Sequence, residues 1–129
     1  MKTRSTDGIA TSCSKQLSLY VVIYSPLQMA ADLLDNYEKN PGPFQFIKDV
    51  PVDWDTSLVL NGEIGDYVTI ARRERGGDNW YLGSLTDEEG RTLEVPLSFL
   101  DAGRRYTAQI YRDGDAAHWK TRREDIVIE

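Results

Sequence analysis

Glu63, Asp66 and Glu74 fall within residues 63–74. Two carboxylates held on either side of a bond are a common acid–base device. The chain carries 21 Asp and Glu, however, so some pair meets any spacing by chance. Carboxylates at turns and strand edges are usually solvated, and that is the reading these three favour. Asp113-Gly114-Asp115 has the alternating carboxylates that open a calcium loop. Such a loop needs further oxygen ligands and a distal Glu; Ala116, Ala117 and His118 follow instead, so a hairpin turn is expected. Trp54, Trp80, Tyr81 and Trp119 are the candidates for contact with a sugar, because flat aromatic faces stack on pyranose rings. Tyr67, Trp80 and Tyr81 make the best trio, since neighbouring strands could align them. The competing reading is that alternating aromatics fill a small core.

His118 and Cys13 are each the single residue of their type. That is too few for a structural zinc site and excludes an internal disulfide. A lone histidine with no nucleophile elbow gives no Ser-His-Asp arrangement. Gly76-Gly77 reads as a turn and not as a phosphate cradle. The expectation is a chain with no catalytic, cofactor-binding or metal residues of its own.

The elements that would carry these residues divide the chain in two. In residues 67–85, Val68 and Ile70 alternate with Thr69 and Ala71, the two-residue period of a strand. Trp80, Tyr81 and Leu82 favour a returning strand, and residues 72–79 between them read as a charged loop. Further strands are expected at 56–60, closed by an Asn61-Gly62 turn, and at 92–97, 106–111 and 126–128. Short strands at regular spacing predict an antiparallel β-sandwich.

Upstream the period is helical. Ile9, Cys13, Leu17 and Tyr20 share a stripe, and only Ser18 is polar within 17–24, which predicts a helix over 9–24 meant to be buried all round. Ser25 and Pro26 suit a second helix, cap and first position, running to Leu34. Asn40-Pro41-Gly42-Pro43 is the strongest break, and 44–50 reads as a short helical turn. The division expected is a helical arm over 1–40 and a β domain over 41–129. Such an arm needs a larger neighbour to cover it, or a second copy of itself, so a homodimer through the arm is expected as well.

The totals exclude some functions. With 129 residues there is room for one core. A net charge of -6 argues against nucleic acid; Arg72, Arg73 and Arg75 are interrupted by Glu74 and Asp78 and read as a solvated loop. The apolar run 17–23 follows Lys2, Arg4 and Lys15, but Asp7 intervenes and Ser25-Pro26 cuts the run, which argues against a leader. It is also too short to span a bilayer.

Several long phrases are specific: QLSLYVVIYSPLQMAAD, FQFIKDVP, LNGEIGDYVTIARRERGGDNWYLGSLTDE, VPLSFL and YTAQIYRDGDAAHW. From about Thr11 onward the chain resembles the C-terminal end of glycoside hydrolase family 97, bacterial α-glucosidases and α-galactosidases. The resemblance implies an N-terminal β-sandwich, a central (β/α)8 catalytic barrel and a C-terminal antiparallel β domain. Residues 11–33 would be the last part of the barrel, and residues from about Phe44 the C-terminal domain without its final strands. The catalytic glutamates and calcium-binding carboxylates of the family lie upstream, so the resemblance implies a fragment inactive alone and without calcium ligands. It implies the catalytic barrel as partner and a periplasmic or exported enzyme. The function expected is an accessory domain bracing the barrel; the alternative is a carbohydrate-binding module using exposed Trp and Tyr.

Overall fold

The structure, a computed structural model, describes residues 11–118 and 125–129. Three helices come first: α1 (Cys13–Val22), α2 (Leu34–Lys39) and α3 (Pro41–Asp49). Strands β1 (Trp54–Glu63), β2 (Tyr67–Glu74) and β3 (Trp80–Thr86) form an antiparallel sheet in the order β1-β2-β3. Strands β4 (Tyr111–Asp113) and β5 (Ile126–Ile128) pair antiparallel in a separate ladder. The chain is thus mainly antiparallel β with a helical N-terminal segment, as the periodicities predict. Among the described residues no helix is long and apolar enough to cross a membrane.

The core lies between the helices and one face of the larger sheet. Val21 of α1, Val50 after α3 and Trp54 of β1 are buried together, with Tyr20, Phe46 and Tyr81 packed around them. Ala71 and Thr69 are buried at the centre of β2, and the Thr69 hydroxyl shares a 2.9 Å hydrogen bond with the Ser84 hydroxyl. That pairing satisfies a polar group that burial would otherwise penalise.

Several local expectations are corrected. Asn61-Gly62 is not the hairpin turn; both residues remain in β1, opposite Thr69 and Val68, just past a register shift between Val59 and Asn61. Gly65 turns the chain instead, at a φ of 91° that favours glycine. The helix expected from Pro26 does not form. The Ser25 hydroxyl accepts from the Leu27 amide at 3.3 Å, as a cap would, yet Leu27, Met29 and Leu33 stay 74%, 77% and 74% exposed. A short amphipathic segment gains its helicity from packing, and here it has nothing to pack on. Pro41 and Pro43 do not only break the chain. They begin α3 after Asn40, in the first turn, where a missing N–H leaves no gap.

Residues 92–97 form no strand, and of 106–111 only Tyr111 lies in a strand. Alternation marks a face to be buried, but a strand also needs a partner edge. Leu97 and Ile110 remain 61% and 47% exposed.

Candidate functional site

The carboxylates do not converge. Asp66 lies in the β1–β2 turn, with an Arg91 guanidinium nitrogen 3.8 Å away. Glu74 ends β2 and accepts from the Asn79 amide at 3.2 Å. Among the described residues no group of three or more His, Cys, Asp or Glu could hold a metal ion. The carboxylates of the Asp113-Gly114-Asp115 segment do not close a cation loop. Asp113 accepts hydrogen bonds from the Ser12 and Ser14 hydroxyls, while Asp125 crosses to accept from the Ala116 amide at 3.0 Å.

The aromatics divide between two faces. Trp54 is only 6% exposed; its ring meets Tyr81 edge-on at 5.5 Å, so it is a core residue with no face for a sugar. Tyr81 donates its hydroxyl hydrogen to the Asp49 carbonyl at 3.0 Å. Trp80, next to it on β3, points to the opposite face and rests on Phe99 at 4.8 Å. Neighbouring residues of a strand cannot share a platform. Tyr67 is at the far end of the sheet, opposite Thr86, with the Arg91 guanidinium 5.4 Å over its ring. The expected trio is therefore dispersed. Trp119 lies outside the described residues.

What the fold does assemble is a seat for α1. Helix ends leave amide hydrogens unpaired at one end and carbonyls at the other, with partial charges of opposite sign. At the N-terminal end the Ser12 hydroxyl accepts from the Lys15 amide at 3.4 Å and donates to Asp113 at 3.0 Å. An Asp from β4 therefore sits where negative charge is favoured. At the C-terminal end Arg72 of β2 is 7% exposed. Its Nε donates to the Val21 carbonyl at 2.6 Å and its Nη2 to the Val22 carbonyl at 3.1 Å. Its Nη1 donates to the Ser57 hydroxyl of β1 at 2.6 Å, and the Tyr24 ring lies 5.7 Å from the guanidinium carbon. Burial pushes the Arg72 pKa down, but an arginine stays charged. The reading of Arg72 as a solvated loop residue is thus corrected: β2 runs on through Glu74, and the side chain fastens the helix to the sheet.

Between the two ends the helix lies directly on β3. A Cβ at Gly83 would come within 2.9 Å of Val21 Cβ and 3.0 Å of both the Ser18 carbonyl oxygen and Val22 Cγ2. Only glycine permits that approach. Lys15 adds a tie, its Nζ donating to the Thr86 carbonyl at 2.8 Å.

A second cluster holds the end of this sheet. Arg91 forks onto Asp87, with Nη2 donating to Oδ2 at 3.1 Å, and the hydrogen bonds from Arg91 and from the Glu89 amide hold the Asp87 carboxyl at about 2, below the ordinary 3.8. A carboxyl whose pKa is depressed by folding adds stability above its unfolded value and loses it as pH falls through the folded one. Midpoint temperature should therefore drop between pH 3.8 and about 2, and Asp87→Asn should flatten that slope. Equal slopes in thermal melts of the two proteins would contradict the assignment.

A family model described as "Glycosyl-hydrolase 97 C-terminal, oligomerisation" matches residues 53–129. The chain is 44% identical over 108 residues to a retaining alpha-galactosidase of Bacteroides thetaiotaomicron, covering 84% of this chain and 16% of that protein. It is 31% identical over 88 residues to a probable retaining alpha-galactosidase of Streptomyces bingchenggensis, covering 68% of this chain and 14% of that protein. The structure of a glycoside hydrolase family 97 enzyme in complex with acarbose, from Pseudoalteromonas sp. strain K8, superposes with a TM-score of 0.87 at 52% identity, over 93% of this chain and 19% of that one. The chain thus spans less than a fifth of the length of these relatives. With all five described β strands inside the matched region, the chain belongs to the glycosyl-hydrolase 97 C-terminal family.

Proposed function

We propose that this chain is the non-catalytic C-terminal accessory domain of a glycoside hydrolase acting on α-glycosidic bonds, galactosides among them, and that it braces the catalytic barrel. The helical arm within 1–40 supplies, from residue 11 to 33, the last part of the barrel, and 41–129 are the β domain, a sandwich in the whole enzyme. The observation that carries this reading is the seating of α1 by Arg72, Gly83 and Asp113, followed by a run that this chain leaves uncovered. Ile23, Tyr24, Leu27, Met29, Leu33 and Leu34 are each more than half exposed. Apolar surface of that kind marks a contact with another body, and relatives several times longer supply one. The barrel's last helix is thereby bolted to the β domain, and the residues after it lie against the barrel.

The test uses the isolated chain and the whole enzyme. The isolated chain should not hydrolyse nitrophenyl α-galactoside or α-glucoside. Turnover that survives repurification would overturn the non-catalytic reading. Deleting residues 53–129 from the whole enzyme should lower its midpoint temperature, and an unchanged midpoint would overturn bracing.

In the isolated chain, which lacks the barrel, the uncovered run of the arm pairs with a second copy to form a homodimer. Light scattering should then give twice the monomer mass, reverting when Leu27 and Met29 are replaced by serine. A carbohydrate-binding module is less well supported, because Trp54 is buried and Trp80 and Tyr81 face opposite ways. Millimolar maltotriose should leave the tryptophan fluorescence unchanged; a saturable change lost in Trp80→Ala would restore the alternative.

A further inference from the structure

We infer that the β domain is a helix receptor, whose groove reads the length and direction of α1, and that the α1 of a second copy can occupy it. This deepens the bracing reading and rests on it for the natural occupant. The two sheets are separate ladders, yet each contributes one end of the seat: Arg72 comes from β2 and Asp113 from β4. Helix α1 has 10 residues, about 15 Å at 1.5 Å per residue. Its first-turn hydroxyls reach Asp113 while its last carbonyls reach Arg72.

A helix longer or shorter by a turn cannot satisfy both ends. A reversed helix would turn its carbonyls toward the Asp113 carboxylate and its amides toward the Arg72 guanidinium, the wrong sign at each end. Gly83 adds a shape requirement, because it admits the helix backbone at the Ser18 carbonyl. The link to the rest of the chain lacks regular structure, and its contact with the seat is the Tyr24 ring on Arg72. Residues 24–33 belong to no helix or strand, and their hydrogen bonds run to near neighbours, such as Gln28 to the Ile23 carbonyl and Tyr20 to the Met29 carbonyl. A short apolar linker with a polar-ended seat behind it is suited to exchange between copies.

The experiment keeps the whole chain. A protease site is placed within residues 27–31 and cut after folding. The freed N-terminal piece should co-elute with the remainder on size exclusion, and a labelled synthetic peptide of residues 11–24 should displace it. The same peptide lengthened by one helical turn of alanines after Leu19 should compete about ten-fold more weakly, one logarithm of affinity. Asp113→Asn in the chain should weaken the normal peptide more than the lengthened one. Separation of the pieces on cutting, or equal competition by the two peptides, would overturn the inference. Neither result touches bracing, which is read from the stability of the whole enzyme.

Discussion

Replacing Arg72 with methionine is expected to destabilise the chain by about 3 kcal/mol, since hydrogen bonds to a charged group contribute roughly 1.5–3 kcal/mol each and do not simply add. Methionine keeps the apolar stem, so the loss falls on the guanidinium. Without it the Val21 and Val22 carbonyls and the Ser57 hydroxyl lose their donor. The end of α1 should fray, and proteolysis should begin near Tyr24. Lysine should recover little, because a single ammonium cannot reproduce the fork. Arg73 is the control. Its ion pair with Asp78 is exposed, at 40% and 56% for the two side chains, and such pairs contribute about 1 kcal/mol or less. Urea titration of Arg72→Met and Arg73→Met should separate the two clearly; equal midpoints would mean that the seat contributes nothing.

The second large effect is expected at Gly83. Gly83→Val should destabilise by about 3 kcal/mol, at the upper end for overpacking. Gly83 is not among the described glycines with positive φ, Gly65, Gly76 and Gly103, so the substitution carries no backbone penalty of that kind. What remains is the clash with Val21, Val22 and the Ser18 carbonyl, and the carbonyl cannot move without the helix. Loss of helical circular dichroism with the β signal retained is the expected signature. Wild-type stability would mean that α1 does not lie on β3 in solution.

Where a pattern had its partner within the chain, the sequence revealed it. Val68 and Ile70 alternate because β2 is the central strand, and Trp80 to Leu85 return beside it. The stripe of α1 was visible through Leu17, and Val21, four positions on, proved the other buried contact. Patterns without a partner misled. Leu27 and Leu34 carry helical spacing but have no surface to pack on, and Leu97 alternates without a strand to join.

Arg72 was missed for a different reason. A charge beside two more charges suggests solvent, because composition does not reveal an acceptor distant in sequence. One signal was available: position 72 continues the face of Val68 and Ile70 by the two-residue period. Gly83 was likewise silent, since close approach to a helix leaves no trace in its neighbours. The site is therefore the part least legible in the sequence, being made of pairings between residues about 50 or 100 apart, such as Arg72 with Val21 and Asp113 with Ser12.

The role proposed for this domain is to steady a catalytic barrel without taking part in its chemistry. The most direct measurement is made on the enzyme that carries it, comparing wild type with Arg72→Met for thermal midpoint and for turnover of nitrophenyl α-galactoside well below that midpoint. A lower midpoint is expected, with kcat and KM unchanged at the lower temperature. Turnover lost at an unchanged midpoint would contradict it.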